Sequence, residues 1–244
     1  MWKVLWTVVT PAMPSIQVIG ILGGMGPAAT ADFYTKLVSS TIADKDQDHP
    51  RVVIWADPTV PDRSAALLGD GPDPTPWLID GIEKLRAAGA TMIAIPCNTA
   101  HAFIDQVPAS DSAPIVNMIE EAAADIHRKF PEIKRVGILA TTGTMKSRIY
   151  HTALASFGLQ LIDPDVSIQQ ELVMPAIGRI KAGLHDEMTA DLLEQAAQHL
   201  VSRGAEVLLA GCTEIVLGLP VNRTTVPLED PAQSLVEELL RRAQ

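Results

Sequence analysis

The sequence predicts an α/β fold made of two similar α/β domains with mainly parallel sheets, related by a pseudo-twofold, with the functional site in the cleft between them. Three observations carry this. Short apolar runs alternate with longer helical ones along the 244 residues. One stretch of the chain is written twice. Both copies carry, near their ends, the chain's only cysteines, Cys97 and Cys212.

The runs at 16–22, 51–55, 90–95, 113–118, 135–140 and 205–210 are apolar and rich in Val and Ile. That is the pattern of strands buried on both faces of a parallel sheet. Helices are expected over 27–41, 76–88, 119–129, 144–157, 167–182, 186–203 and 230–243. Pro27, Pro76 and Pro231 stand near helix starts, where a missing N–H costs little. Gly89 and Gly204 stand where two of these helices end, as C-terminal caps. Residues 1–17 read as an N-terminal extension leading into the first strand; their basic and apolar segments are slight for a signal peptide.

Leu85–Thr99 (LRAAGATMIAIPCNT) aligns without a gap on Leu200–Glu214 (LVSRGAEVLLAGCTE) at a constant offset of 115, which sets Gly89 on Gly204 and Cys97 on Cys212. A second echo, Gly20-Ile21-Leu22 leading to Gly26 and Gly137-Ile138-Leu139 leading to Gly143, has an offset of 117. The halves are then 18–118, carrying Cys97, and 119–244, carrying Cys212, with the C-terminal helix free to pack back on the first. Each cysteine falls at the carboxyl end of a strand, where open α/β sheets bind ligands. If the halves face each other, the two sulfurs line one cleft from opposite walls.

Acidic residues outnumber basic ones 29 to 19, a net charge of −10. This argues against nucleic acid as a partner, because phosphate needs clustered Lys and Arg. No apolar run approaches the roughly 20 residues of a membrane helix. Two cysteines make no disulfide framework at this size, so free thiols and a reducing, cytoplasmic setting are expected. A thiol, with a pKa of ~8.5, serves as either acid or base near neutrality. Two facing thiols can therefore take a proton from one face of a carbon and deliver another to the opposite face. Sulfurs each ~3–3.5 Å from that carbon lie ~6–7 Å apart, too far to bridge. A lone strand-end cysteine is a small buried hydrophobe; two at matched positions, each with a Thr within two residues, argue for catalysis. Asn98-Thr99 and Thr213-Glu214 read as helix starts whose N–H groups face an anion.

An anionic ligand gets no help from the overall charge and needs local cations. Arg63 offers a planar fork matched to a carboxylate, with Asp62 beside it to orient the guanidinium, although an exposed residue in a Pro-Asp turn reads the same way. Lys181 ends a predicted helix, where a cation is favourable in any case. Thr141 and Thr142 either donate to a ligand or, with Thr144, cap the helix at 144–157. His101, one turn after Cys97, either tunes the thiolate or makes a local hydrogen bond. Glu214 either steers the Cys212 thiol or caps a first turn.

No metal is expected, since the six histidines are scattered and neither H-E-x-x-H nor a paired C-x-x-C occurs. Gly24-Met25-Gly26-Pro27-Ala28-Ala29 fits the dinucleotide fingerprint. Its acidic partner should end a second strand, whereas Asp44 and Asp46 fall in the polar stretch DKDQDH. A dinucleotide-dependent oxidoreductase and a non-catalytic amino-acid-binding protein remain the alternatives.

The phrases GILGGMGPAATADFY (20–34), DPTVPDR (57–63), PCNTAHAF (96–103), GILATTGT (137–144), IKAG (180–183) and AGCTE (210–214) resemble the aspartate racemase branch of the aspartate/glutamate racemase family, from Ile19 to the C-terminus. Glutamate racemases usually carry GCTH at the second site, so Glu214 favours the aspartate-type branch. The resemblance implies a two-domain enzyme, commonly a homodimer, that uses neither pyridoxal phosphate nor metal. It implies Cys97 and Cys212 as the acid/base pair, with Arg63 and Lys181 binding carboxylate. Met25, Asn98, Thr99, Ala100 and, beside the second cysteine, Thr213 would line the substrate site. The expected substrate is an amino acid with a second carboxylate, aspartate foremost and glutamate next. Residues 1–17 have no counterpart at the family's usual start.

Overall fold

A computed structural model describes residues 17–243; apart from Gln17, the extension at 1–17 lies outside the described residues. The first half holds β1 (Val18–Gly23), α1 (Pro27–Ser40), β2 (Arg51–Ala56), α2 (Arg63–Leu68), α3 (Thr75–Ala87) and β3 (Met92–Ala94). Its strands form a parallel sheet in the order β2-β1-β3. A 3₁₀ run over Thr99–Gln106 leads on to α4 (Met118–Lys129). The second half begins with β4 (Arg135–Ala140), α5 (Thr142–Ser147), α6 (Ile149–Ala155) and β5 (Gln160–Ile162). It continues through α7 (Val166–Ile168), α8 (Met174–Lys181), α9 (Glu187–Ser202) and β6 (Val207–Gly211). It closes with α10 (Ile215–Gly218), β7 (Leu228–Glu229) and α11 (Pro231–Ala243). The second sheet is parallel in the order β5-β4-β6-β7.

The repeat seen in the sequence recurs as a shared register. Gly20 pairs with Ile93 in the first sheet, and Gly137 pairs with Leu208 in the second. A Cβ on Gly20 would stand 2.8 Å from Ala90 Cβ and 3.4 Å from Leu85 Cβ. One on Gly137 would stand 2.8 Å from Ala205 Cβ and 3.0 Å from Leu200 Cβ. In both halves a strand glycine thus admits the same helix–Gly–strand phrase at a distance that any side chain would forbid.

Helices cover both sheets, as parallel strands require. Ile19, Ile21, Phe33 and Met92 pack with Leu235, Val236 and Leu239 of α11, so the last helix lies on the first sheet. Val136, Ile138, Tyr150 and Leu154 pack with Ile119 and Ile126 of α4 on one side of the second sheet. Leu208 and Leu139 meet Ile177, Leu193 and Leu200 on the other. Each such fully buried aliphatic side chain stabilises the fold by about 1.5–3 kcal/mol. No helix among the described residues is long and apolar enough to cross a membrane.

Four expectations are corrected. The strand expected at 113–118 shrinks to one bridge between Ile93 and Ile115, because Asn117 caps α4 through Ile119 N–H and the helix takes Met118. β2 is an edge strand rather than a doubly buried one: Ile54 and Trp55 are 40% and 37% exposed, with the Lys84 ammonium 4.4 Å from the Trp55 ring. The helix expected at 144–157 breaks at Arg148, whose φ of 58° is left-handed, giving α5 and α6. The helix expected at 167–182 contains a π turn over Gln169–Val173 between α7 and α8. An inserted residue of this kind leaves no mark in hydrophobic periodicity.

Candidate active site

β3 delivers Ile95-Pro96-Cys97, and β6 delivers Cys212 directly after Gly211. Both cysteines are free, both are 6% exposed, and both line one small, nearly closed cavity between the halves. Arg63, Asn98 and Thr99 line it from the first half, Thr141, Lys181 and Thr213 from the second. The helix starts expected behind the thiols are slight. Cys97 is followed by a 3₁₀ run, Cys212 by the four-residue α10, and neither has a side-chain N-cap.

Arg63 is buried in the first turn of α2. Its Nη1 donates to Pro61 O at 2.9 Å and Val60 O at 3.2 Å, and its Nη2 to Met25 O at 2.9 Å. A guanidinium has five N–H groups, so Nε–H and one Nη2–H, neighbours on one edge, remain. Nε is buried without a partner, as is Nδ2 of Asn98. A buried donor left unpaired is costly. Two of them on cavity-lining residues make a site for an acceptor. Asp62 does not orient the guanidinium; its Oδ1 accepts from Ala65 N–H at 2.7 Å and caps α2. Lys181, exposed at the end of α8, brings its positive charge towards Cys212.

The halves meet through hydroxyls. Thr99 Oγ1 lies 3.1 Å from Thr141 Oγ1 and 2.8 Å from Thr144 Oγ1, and Ser64 Oγ donates to Thr141 Oγ1 at 3.0 Å. Thr141, not Thr144, caps the following helix, accepting from Thr144 N–H. Thr142 faces Gln169 Nε2 at 3.3 Å, away from the cavity. Ala100 is buried in the core behind Cys97 and does not reach the cavity wall.

His101 does not touch either thiol. Its Nδ1 lies 2.9 Å from Cys97 O, and its Nε2 accepts from Met118 N–H at 3.1 Å. Accepting at Nε2 fixes a neutral ring with its proton on Nδ1, and burial pushes the pKa down to about 4. The ring thus ties the Cys97 turn to the start of α4. On the other side Cys212 Sγ donates to Glu214 Oε2 at 2.9 Å, and Thr213 Oγ1 donates to the same oxygen at 3.1 Å. Burial first, then the Glu214 charge, push the Cys212 thiol well above the ordinary range, with Lys181 opposing.

Two contributors escaped the sequence reading. Ser64 lines the cavity beside Arg63, but the short α2 that carries it was not foreseen. Tyr150 donates its hydroxyl proton to Asn98 Oδ1 across the two halves. A tyrosine inside an apolar helix face was its one visible sign.

The dinucleotide fingerprint has another use here. Gly24 has a φ of 91°, and a Cβ on it would stand 2.4 Å from the Asp57 backbone, so the protein itself takes the close approach. Among the described residues no group of His, Cys, Asp and Glu is placed to hold a metal ion. A larger, shallow groove beside His49, Arg51 and Arg242 holds neither cysteine.

The family model of Asp/Glu/hydantoin racemases matches residues 22–239. The broad specificity amino-acid racemase RacX of Bacillus subtilis is 30% identical over 225 residues, covering 90% of this chain and 95% of the relative. The aspartate racemase of Picrophilus torridus superposes with a TM-score of 0.83 at 31% identity, over 93% of this chain and 94% of its own. Glutamate racemase from Francisella tularensis, in complex with D-glutamate, shares the fold at a TM-score of 0.67 and 16% identity, over 94% of this chain and 81% of its own. By family match, identity and coverage alike, the chain belongs to the Asp/Glu/hydantoin racemases, a family of isomerases that act on amino acids and related compounds.

Proposed function

We propose that the protein interconverts the L- and D-forms of an acidic amino acid, aspartate foremost, by a two-cysteine acid/base reaction without a cofactor. The observation that carries this reading is the pair Cys97 and Cys212 on one cavity that also holds Arg63 and Lys181. One thiolate removes the α-proton, and the opposite thiol delivers a proton to the other face. The free edge of Arg63, the Asn98 amide and Lys181 receive the carboxylates and the charge that develops as the α-carbon becomes enolate-like. The division into lobes at 18–118 and 119–244, a homodimer, and a reducing, cytoplasmic setting for the free thiols belong to the same proposal.

A broader amino-acid range is the second reading, favoured by the similarity to a racemase named for broad specificity. Incubation with single L-amino acids in heavy water, followed by separation of enantiomers, tests both. Aspartate should yield its D-form carrying deuterium at Cα, and Cys97→Ala and Cys212→Ala should each abolish this in a folded protein. Substantial racemisation by either variant would overturn the two-cysteine mechanism.

A further inference from the structure

The two thiols have different surroundings. Cys212 Sγ donates to Glu214 Oε2 at 2.9 Å. Among the described residues Cys97 Sγ has no such partner, since His101 bonds the Cys97 carbonyl and not its sulfur. Glu214 is buried at the N-cap position of α10, yet its side chain caps no helix N–H. Both donors to its Oε2 come from Cys212 and Thr213, and Gly26 leaves room for Oε1, which a Cβ there would approach to 3.2 Å. A buried carboxylate without a helix to cap, held against a sulfur, is placed for proton exchange with that sulfur.

We propose that Glu214 is the proton partner of Cys212, so that Cys212 works as a thiol–carboxylate dyad while Cys97 works alone. The inference rests on the racemase reading of the cavity. When Cys212 acts as the base, its S–H proton passes to Glu214 Oε2, which becomes a neutral acid. The sulfur electron pair so freed takes the α-proton, and the C–H electron pair stays on the substrate. When Cys212 acts as the acid, the dyad begins with both protons. The S–H proton joins the carbanion electron pair to form the new C–H bond, and neutral Glu214 returns its proton to sulfur. No anion is then left beside another anion 2.9 Å away, an arrangement that like charges disfavour strongly in a buried site.

Iodoacetamide alkylation of the full-length protein across pH, read on the two cysteine-containing peptides by mass spectrometry, tests the dyad without using activity. In the parent protein the midpoint for Cys212 should lie well above that of a free thiol. In Glu214→Gln it should fall by about one unit or more while that of Cys97 stays, and Glu214→Asp should restore part of the shift. A Cys212 midpoint at the free-thiol value in the parent protein, or one unmoved in a folded Glu214→Gln, would overturn the proposal. If Glu214→Gln does not fold, Glu214→Asp decides: a Cys212 midpoint identical to that of the parent overturns the proposal. In turnover, Glu214→Gln should raise the α-deuterium isotope effect on the enantiomer deprotonated by Cys212 and lower it on the other; equal changes also overturn the dyad. A parent protein that exchanges no α-proton of any amino acid refutes the racemase reading instead, and the alkylation midpoints still decide on the dyad.

Discussion

Tyr150, on α6 of the second half, donates its hydroxyl to Oδ1 of Asn98, the residue beside Cys97 in the first half. Burial holds the phenol well above its ordinary pKa, so it is a neutral donor. Because Oδ1 is the acceptor, the Asn98 amide nitrogen is turned the other way, and it is left without a protein partner. Tyr150→Phe keeps the ring and strands a buried acceptor. It should cost about 1–3 kcal/mol of stability, read as a lower denaturant midpoint. It should also lower kcat/KM by about tenfold, as the amide becomes free to rotate. An unchanged kcat/KM would remove Asn98 orientation from the mechanism.

The halves pack closely where α5 meets α2. A Cβ on Gly143 would stand 2.6 Å from Ser64 Cα, a backbone atom that cannot swing aside. Gly143→Ala must therefore push α2 away from α5, and with it Arg63 and the Ser64–Thr141 hydrogen bond. Overpacking of this kind costs about 1–3 kcal/mol. The loss of kcat/KM should exceed the loss expected from stability alone, with each half's secondary structure unchanged by circular dichroism.

The halves and their cysteines were legible because a register shared by Gly20 with Ile93 and Gly137 with Leu208 needs the same small and apolar residues at the same spacing. The edge character of β2 was not, since Ile54 and Trp55 read as core residues wherever a sheet happens to end. Arg63 and Lys181 stood out by charge. The partners that orient site residues did not: Tyr150 reaches Asn98 over 52 residues, and Ser64 reaches Thr141 over 77. Hydrogen bonds that cross between two domains leave no period in either. Ala100 illustrates the converse error, because nearness in sequence to Cys97 does not set the direction of a side chain; Asp62 lines the cavity but spends its carboxylate on capping α2.

His101 makes stability depend on pH in a defined window. Its pKa falls from 6.5 to about 4 on burial, so between those values the unfolded chain binds a proton that the folded chain does not. Stability rises with pH wherever the unfolded state holds more protons. The contribution of neutral His101 is therefore complete above pH 6.5 and is lost as pH falls from 6.5 to about 4. The change amounts to roughly 3 kcal/mol across the window. Unfolding free energies for the parent protein and His101→Gln should differ in slope between pH 4 and 6.5, and parallel curves would contradict the buried neutral ring.

Arg63 joins two tasks in one group, and a lysine cannot do both. Its Nη1 and Nη2 hold the carbonyls of Val60, Pro61 and Met25, while Nε–H is buried without a protein partner on this cavity-lining residue. Lysine carries three donors around one point charge and no planar edge. In Arg63→Lys the ammonium either serves the carbonyls and abandons the ligand, or turns to the ligand and leaves carbonyls buried without donors. Losing a charge-assisted bidentate contact is worth about 1.5–3 kcal/mol, roughly 10- to 100-fold in kcat/KM. That loss should fall on aspartate, whereas a neutral amino acid such as alanine should suffer only from the loosened Met25 loop. The ratio of kcat/KM for aspartate over alanine should therefore drop by at least about tenfold. Equal losses for both substrates would leave Arg63 as a structural clamp on the β1–α1 loop and return the search for the carboxylate receptor to Lys181 and Asn98.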